Sequence, residues 1–216
     1  MNNIINEFKN LVNNDDNVVA LYMYGSRVYK TNSPESDFDF IMVVENKENT
    51  ITEKIISQHA DVTVYNTSEF QKQIDDHEIS VLECLFLDNE YKLKETCKWS
   101  FTLQLPQLRK SFSAKSSNSW VKAKKKLTIE EDYNLYVGQK SAWHAIRILQ
   151  FGQQIATTGQ INNYTESNAL LSEIIKTKDW LSLDGNFRSR YNNESTKFKL
   201  VAPKEVAPVI IKPKMK

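Results

Sequence analysis

The stretch YGSRVYKTNSPESDFDFIMVV, from Tyr24 to Val44, joins a Gly-Ser pair to two aspartates that stand two residues apart. These aspartates, Asp37 and Asp39, come directly before an apolar run that is typical of a core strand. Carboxylates beside a core strand are costly to bury unless a partner compensates them. The identity of that partner is the first question that the sequence raises.

Apolar and alternating runs predict three strands around this stretch. Val18 to Met23 and Phe38 to Val44 are short apolar runs, and His59 to Asn66 alternates and is rich in β-branched residues. Between the last two, Glu45 to Gln58 is polar and then partly helical in pattern. The apolar run from Ile79 to Leu87 fits either a helix end or a fourth strand.

Helical spacing dominates the remainder of the chain. Residues 3–13 have the pattern of an amphipathic helix, Tyr133 to Gln154 has that of a long helix, and Asn168 to Lys176 suggests another. From about Trp99 onwards, runs of β-branched residues no longer occur.

These patterns predict an α+β fold with three parts. Residues 1–97 are expected to form one domain of strands and helices, and residues 98–195 a mostly helical domain. Residues 196–216 are rich in proline and lysine, so we expect a mobile basic tail.

Composition narrows the possible environments and partners. The net charge of +1 means that any nucleic-acid binding must depend on local patches. Cys84 and Cys97 are not a disulfide framework, and His59 and His77 lack metal-ligand spacing, so we expect structural roles for all four. No apolar run approaches the ~20 residues that a membrane helix needs. We therefore expect a soluble, cytoplasmic protein, without excluding the nucleus, that has no membrane partner.

The two aspartates predict a metal site. Residues i and i+2 of a strand point to one face, so the side chains of Asp37 and Asp39 project together. Paired hard oxygen donors suit Mg²⁺ or Mn²⁺, and Mg²⁺ commonly combines few carboxylates with substrate phosphates. The Gly25–Ser26 turn can approach a triphosphate, and Asp61 on the next predicted strand is the natural third ligand. The predicted partner is therefore a divalent metal with a nucleoside triphosphate.

The segment YGSRVYKTNSPESDFDFI, from Tyr24 to Ile41, resembles the nucleotidyltransferase superfamily with the DNA-polymerase-β-like fold. It is most similar to the predicted nucleotidyltransferase family associated with RNA repair, as are VLECLF (Val81–Phe86) and KSAWHAIRIL (Lys140–Leu149). The resemblance covers residues 18–87 well and residues 138–165 loosely. It implies a mixed sheet with a metal-dependent transfer site, and a helical domain that closes over the nucleotide.

The helical half offers cations for a triphosphate. Lys140, His144 and Arg147 are spaced so that they share one helix face, where they would meet the phosphates. The alternative is a solvated basic face with a surface histidine. Arg27 is predicted to touch a phosphate, or else to form a salt bridge with Glu35.

A basic run that contains Phe112 and Trp120 predicts contact with nucleic acid, because lysines bind phosphates and aromatic rings stack on bases. A lysine-rich helix face that is merely solvated is an equally good interpretation. The predicted nucleic-acid contacts are Arg109, Lys115, Lys122 and Lys124.

The predicted activity is transfer of a nucleoside monophosphate from a triphosphate such as ATP to an acceptor hydroxyl, with release of pyrophosphate. An RNA end is the favoured acceptor, because of the resemblance and the basic run. The alternatives are a protein hydroxyl, as in an adenylylating antitoxin, and a small molecule such as a drug or a nucleotide signal. A non-catalytic nucleotide- or RNA-binding module is a further alternative, but it would not need all three carboxylates.

Overall fold

The sheet is mixed, and one of its strand pairs is parallel. The structure, a computed structural model, describes Ile5, Asp15 and residues 17–45, 53–56 and 60–205. Within these ranges five strands form one sheet in the order β3-β4-β2-β1-β5. Of the four pairs, β2–β4 is parallel and the others are antiparallel. The strands are β1 (Val18–Tyr24), β2 (Phe38–Val44), β3 (Glu53–Ile56), β4 (Ala60–Asn66) and β5 (Lys92–Glu95).

Helices make up most of the chain after β4. The helix Leu135–Thr158 carries the expected end signals: the Asn134 side chain caps its start, and Gly159, with φ of +82°, ends it. None of the helices in the described part of the chain is both long and apolar enough to cross a membrane. The helices are α1 (Thr67–Asp75), α2 (Ile79–Leu85), α3 (Leu105–Thr128), α4 (Leu135–Thr158), α5 (Asn168–Ile174) and α6 (Trp180–Val201).

The predicted fold class is confirmed, with local corrections. The alternatives for Ile79 to Leu87 are decided in favour of a helix. The partly helical pattern before β4 is wrong at residues 53–56, which form β3 antiparallel to β4. Such a short strand is selected by pairing with its neighbour more than by its own pattern. The predicted helix at residues 3–13 lies outside the described residues, except for Ile5, which packs against one face of the sheet.

The two faces of the sheet pack against different parts of the protein. Phe38 and Phe40 point to one face and are buried in a small apolar cluster. Ile41 and Val43 point to the other face, where the helices pack. Asp39 alternates with Phe38 and Phe40 and therefore lies on the helix-covered face. A carboxylate is thus placed where the sheet meets the helical half.

One hydrophobic cluster continues from the sheet into the helices, across the predicted boundary at residue 97. Helices α3 and α4 pack along each other, and α6 packs against both of them. His77 joins the two regions, because its Nε2 accepts a hydrogen bond from Gln104 N (3.1 Å) while its Nδ1 lies 2.9 Å from Asp75 O. It is buried, and this burial lowers its pKa. The structural role predicted for His77 is confirmed, whereas His59 lies outside the described residues.

The start of the predicted tail is packed, which is a correction. Helix α6 continues to Val201, and the side chains of Phe198 and Ala202 are fully buried. The Phe198 ring lies over Gly152 of α4, where an added Cβ would come within 2.6 Å of it. This long-range fit explains why the local composition was misleading. Residues 206–216, the rest of the predicted tail, lie outside the described residues.

Candidate active site

A cavity of about 990 Å³ lies between the helix-covered face of the sheet and helices α3 and α4. The sheet side and its loops supply Tyr24, Gly25, Ser26, Tyr29, Asp37 and Asp39 to its lining. The helical side supplies Lys115, Lys122, Tyr136, Lys140, His144 and Arg147. The cavity therefore brings together residues that are far apart in the sequence.

Gly25 is required by the position of an aspartate. Its φ is +78°, a conformation that favours glycine, and an added Cβ would lie 2.9 Å from Cγ of Asp39. Residues Gly25–Arg27 form a single 3₁₀ turn directly after β1. A side chain at position 25 would collide with the carboxylate, so the turn and Asp39 form one unit.

Three polar side chains form a row across the sheet. Tyr24 of β1 is the register partner of Asp39 of β2, and Asp39 is the partner of Asp61 of β4. Register partners project to the same face of a sheet. Burial and then the Asp39 carboxylate raise the pKa of the Tyr24 hydroxyl. Asp61 is thus at the level of Asp39 but, unlike Asp37 and Asp39, does not line the cavity.

Arg27 is a charge partner of the two aspartates. Its guanidinium lies 3.6 Å from the centre of the Phe38 ring and donates to Ser36 O. Burial lowers the pKa of Arg27, and Asp39 and Asp37 oppose that effect. Arg27 does not line the cavity, and no ion pair joins it to Glu35 in the described ranges. In place of the predicted Glu35 salt bridge, Arg27 interacts with the charges of the two aspartates, and its predicted phosphate contact stays a prediction.

The donor set fits a divalent cation only in part. Among the residues that the structure describes, no three His, Cys, Asp or Glu side chains are assembled to hold a metal. Asp37 and Asp39 both face the cavity with oxygen donors, which are the ligands that Mg²⁺ prefers. Asp61 stands on the adjacent strand, and phosphate oxygens commonly complete such a site. The residues are compatible with a metal that arrives with its nucleotide.

The helical wall of the cavity is basic. Lys115 and Lys122 are seven residues apart on α3 and share a face. Lys115 forms an ion pair with Glu78 at 3.1 Å, and the Lys140 ammonium lies 5.2 Å from the centre of the Tyr136 ring. No carboxylate in the described residues pairs with Lys122 or Lys140. The cavity thus has carboxylates on one side and uncompensated ammonium groups on the other.

The predicted grouping of Lys140, His144 and Arg147 on one face is seen, since all three line the cavity. Arg147, however, is buried and forms an ion pair with Glu83, with Nη2 and Oε1 3.5 Å apart. Burial, followed by the charge of Arg147, lowers the pKa of His144 well below its ordinary value. The neutral imidazole is therefore favoured near pH 7, and the predicted contact of His144 with a phosphate stays a prediction.

Two functional neighbours were missed by the sequence reasoning. Glu83 is fully enclosed within α2, and burial raises its pKa while Arg147 and the Tyr29 hydroxyl oppose that effect. Tyr29 donates a hydrogen bond to Glu83 from the loop after the Gly-Ser turn. A glutamate inside an apolar run was the available signal, because buried acids are almost always paired.

The predicted nucleic-acid residues separate into two groups. Lys115 and Lys122 line the cavity, whereas Lys124 is exposed on another side of α3. Arg109 also lies elsewhere: its Nη1 donates to Lys199 O (3.2 Å) and Ala202 O (3.4 Å), where it caps α6. The aromatic residues of the run, Phe112 and Trp120, are buried in the core and cannot stack on bases. The basic run is thus not one continuous surface.

The family match lies in the part of the chain that forms the sheet. Residues 6–94, which contain the turn and all three aspartates, match the family described as Polymerase beta, Nucleotidyltransferase. A search of the curated proteins finds no match. Among solved structures, spectinomycin adenyltransferase AAD(9) from Enterococcus faecialis, with ATP and spectinomycin, has a TM-score of 0.46 and 12% identity, over 90% of this chain and 98% of that chain.

The family match includes the strands and the turn that build the carboxylate side of the cavity. The family that matches is that of nucleotidyltransferases in general, so the predicted similarity to the family associated with RNA repair stays a prediction. The solved structure is too dissimilar to carry an argument about substrate. Within residues 6–94, the chain is therefore similar to the nucleotidyltransferase family.

Proposed function

We propose that this protein transfers a nucleoside monophosphate from a nucleoside triphosphate to an acceptor hydroxyl and releases pyrophosphate. One observation carries the proposal: Asp37 and Asp39, beside the Gly25 turn, share a cavity with the ammonium groups of Lys122 and Lys140, which have no carboxylate partner among the described residues. A triphosphate with a divalent cation needs both charges, carboxylates for the metal and ammonium groups for the outer phosphates.

Asp37, Asp39 and Asp61 are the residues that would hold Mg²⁺ or Mn²⁺. When bound, the metal would neutralise charge on the phosphate oxygens and make the acceptor hydroxyl easier to deprotonate. The alignment of Asp61 with Asp39 on adjacent parallel strands supports a shared role for these two residues.

The transfer itself is a substitution at the α-phosphorus. The acceptor oxygen forms a new bond to this phosphorus, the bond to the bridging oxygen breaks, and pyrophosphate leaves with that oxygen. The hydroxyl proton goes to a carboxylate of the aspartate set, for which Asp61 is proposed because it is the register partner of Asp39, a residue of the cavity lining. The Ser26 hydroxyl orients the phosphates, and Lys122 and Lys140 stabilise the charge that develops on pyrophosphate.

The charge and the volume of the cavity favour two classes of acceptor. Lys115 and Lys122 on its wall are compatible with an RNA end, because its phosphates would meet ammonium groups. A small-molecule hydroxyl is the second candidate. It is favoured by the positions of Arg109 and Lys124, which leave no continuous basic track beyond the cavity in the part of the chain that the structure describes. The volume of about 990 Å³ is also near the upper end of the range for small-molecule sites, roughly 300–1,000 Å³.

The direct test is a transfer assay with each of the four triphosphates labelled at the α-phosphate. The protein is incubated with Mg²⁺ or Mn²⁺ and, in separate reactions, total RNA, total protein or a small-molecule extract. Label in one acceptor pool identifies the class, and Asp37→Asn/Asp39→Asn should lose it. If a triphosphate binds and no pyrophosphate appears with any acceptor, the protein is a binding module and the proposal fails.

A further inference from the structure

We propose that His144 is a neutral hydrogen-bond donor to a phosphate oxygen of the bound triphosphate, and that Arg147, fixed by Glu83, is the positioning residue that sets its tautomer. The ligand assignment rests on the proposed function. The tautomer does not, because it follows from contacts within the protein alone.

The first step is that Arg147 cannot move. Both Arg147 and Glu83 have 3% exposed side chains, and their ion pair links α4 to α2. The Tyr29 ring lies against the guanidinium, with 3.6 Å between its centre and Cζ, and the Tyr29 hydroxyl donates to the second oxygen of Glu83. Neighbours on two sides therefore hold the guanidinium in one place.

The second step is the tautomer of His144. Nη2 of Arg147 lies 2.7 Å from Nδ1 of His144. A guanidinium has only N–H donors, so Nδ1 must supply the lone pair. In a neutral imidazole the hydrogen is then on Nε2. The opposite tautomer would place two N–H groups against each other.

The third step is that His144 keeps this form near neutral pH. Burial and four surrounding cations disfavour the imidazolium and lower the pKa of His144. The carboxylate of Glu83 lies behind Arg147 and is occupied by it. The cations are Arg147 and Lys140 of α4, and Lys115 and Lys122 of α3.

The fourth step identifies the ligand. His144 lines the cavity, and in the described part of the chain no group accepts a hydrogen bond from its Nε2. Lys122 and Lys140 line the same wall, and no carboxylate within the described ranges pairs with either of them. An N–H donor beside unpaired ammonium groups matches an anionic oxygen, and the terminal phosphates of a triphosphate carry such oxygens. A donor that is already neutral does not lose its proton as the pH rises through neutrality.

The tautomer is tested first, in the ligand-free protein. Imidazole ¹⁵N–¹H correlation spectra at pH 7 should show His144 with a protonated Nε2 and an unprotonated Nδ1, with His144→Gln identifying the signals. An imidazolium pattern, or a proton on Nδ1, would overturn the inference whatever the enzyme does.

The positioning role of Arg147 needs its own variant. Glu83→Gln/Arg147→Met removes both buried charges together, so no unpaired charge remains to prevent folding. In this variant His144 should show a mixture of both neutral tautomers. A persisting pure Nε2–H form would remove Arg147 from the role.

The ligand is tested by measuring the affinities of wild type, His144→Gln and His144→Leu for ATP with Mg²⁺, for tripolyphosphate and for AMP. The glutamine amide can place an N–H near the position of Nε2, so we expect affinities within about threefold of wild type. Leucine cannot donate, and its affinity for ATP and tripolyphosphate should fall roughly 10- to 100-fold, the scale of a hydrogen bond to a charged group, while AMP binding changes little.

The outcomes separate the two proposals. Unchanged affinity for ATP and tripolyphosphate in a folded His144→Leu protein would overturn the donor role alone. If wild type binds neither ligand, the proposed function and the ligand assignment both fail, and the tautomer result still stands or falls by the spectra.

Discussion

Replacing Gly25 by alanine should damage the protein in a way that a second glycine can calibrate. Gly25 and Gly159 both have positive φ, +78° and +82°. An added Cβ at Gly25 would lie 2.9 Å from Cγ of Asp39, whereas at Gly159 it would meet nothing within 4 Å. Gly159→Ala therefore reports backbone strain alone, and Gly25→Ala reports strain plus a collision with a carboxylate.

The expected magnitudes follow from these two terms. The backbone term is about 1–2 kcal/mol for an L-residue in the left-handed region, and it applies to both variants. The collision adds about 1–3 kcal/mol, the usual cost of overpacking, and only Gly25→Ala bears it. In a chain of this size that extra term corresponds to roughly 2–12 °C in Tm.

The measurement is the free energy of unfolding in urea for wild type and both variants, together with ATP affinity in Mg²⁺. Gly25→Ala should unfold more easily than Gly159→Ala and bind ATP more weakly, because the Asp39 carboxylate has to shift. Asp39→Ala removes the atoms that collide, so the added cost of Gly25→Ala should become smaller in that background.

Two results would refute this reasoning. Equal destabilisation by Gly25→Ala and Gly159→Ala would show that Asp39 does not press on the turn. Unchanged ATP affinity in a Gly25→Ala protein with lowered stability would separate the turn from the nucleotide site.

Three further predictions can be tested directly. Asp37→Asn combined with Asp39→Asn should abolish transfer in Mg²⁺ while the far-UV circular dichroism stays native, and full transfer by this protein would contradict the metal assignment. Lys122→Gln should weaken ATP binding by about 1–3 kcal/mol. Lys125→Gln, in the same basic run but outside the cavity, should change the binding free energy by no more than about 0.5 kcal/mol. Equal effects of the two variants in a binding titration would show that Lys122 does not contact the nucleotide. Burial lowers the pKa of His77, so the unfolded state takes up the proton before the folded state does as the pH falls below about 6.5. The free energy of unfolding should therefore decrease in that pH range, and it should decrease less steeply in His77→Gln. Identical pH profiles of the two proteins would exclude this contribution.

The sequence by itself determined most of the secondary structure and the carboxylate side of the site. Period-two alternation and apolar runs predicted β1, β2 and β4, and the spacing of Asp37 and Asp39 predicted where their side chains point. These features depend on neighbours along the chain, which a pattern records directly. The short β3 was missed because its partner strand selects it.

The tertiary structure alone decided which charged groups are available. The sequence alone does not distinguish the roles of three arginines. Arg147 is buried against Glu83, Arg109 caps α6, and Arg27 interacts with the charges of the aspartates. Burial, followed by cations on two helices, lowers the pKa of His144. Burial and charge are set by residues that are distant in the sequence and close in space, and pKa values follow from that environment. Residue types and spacing predicted a site of carboxylates and cations, whereas long-range packing determined which of these residues line the cavity.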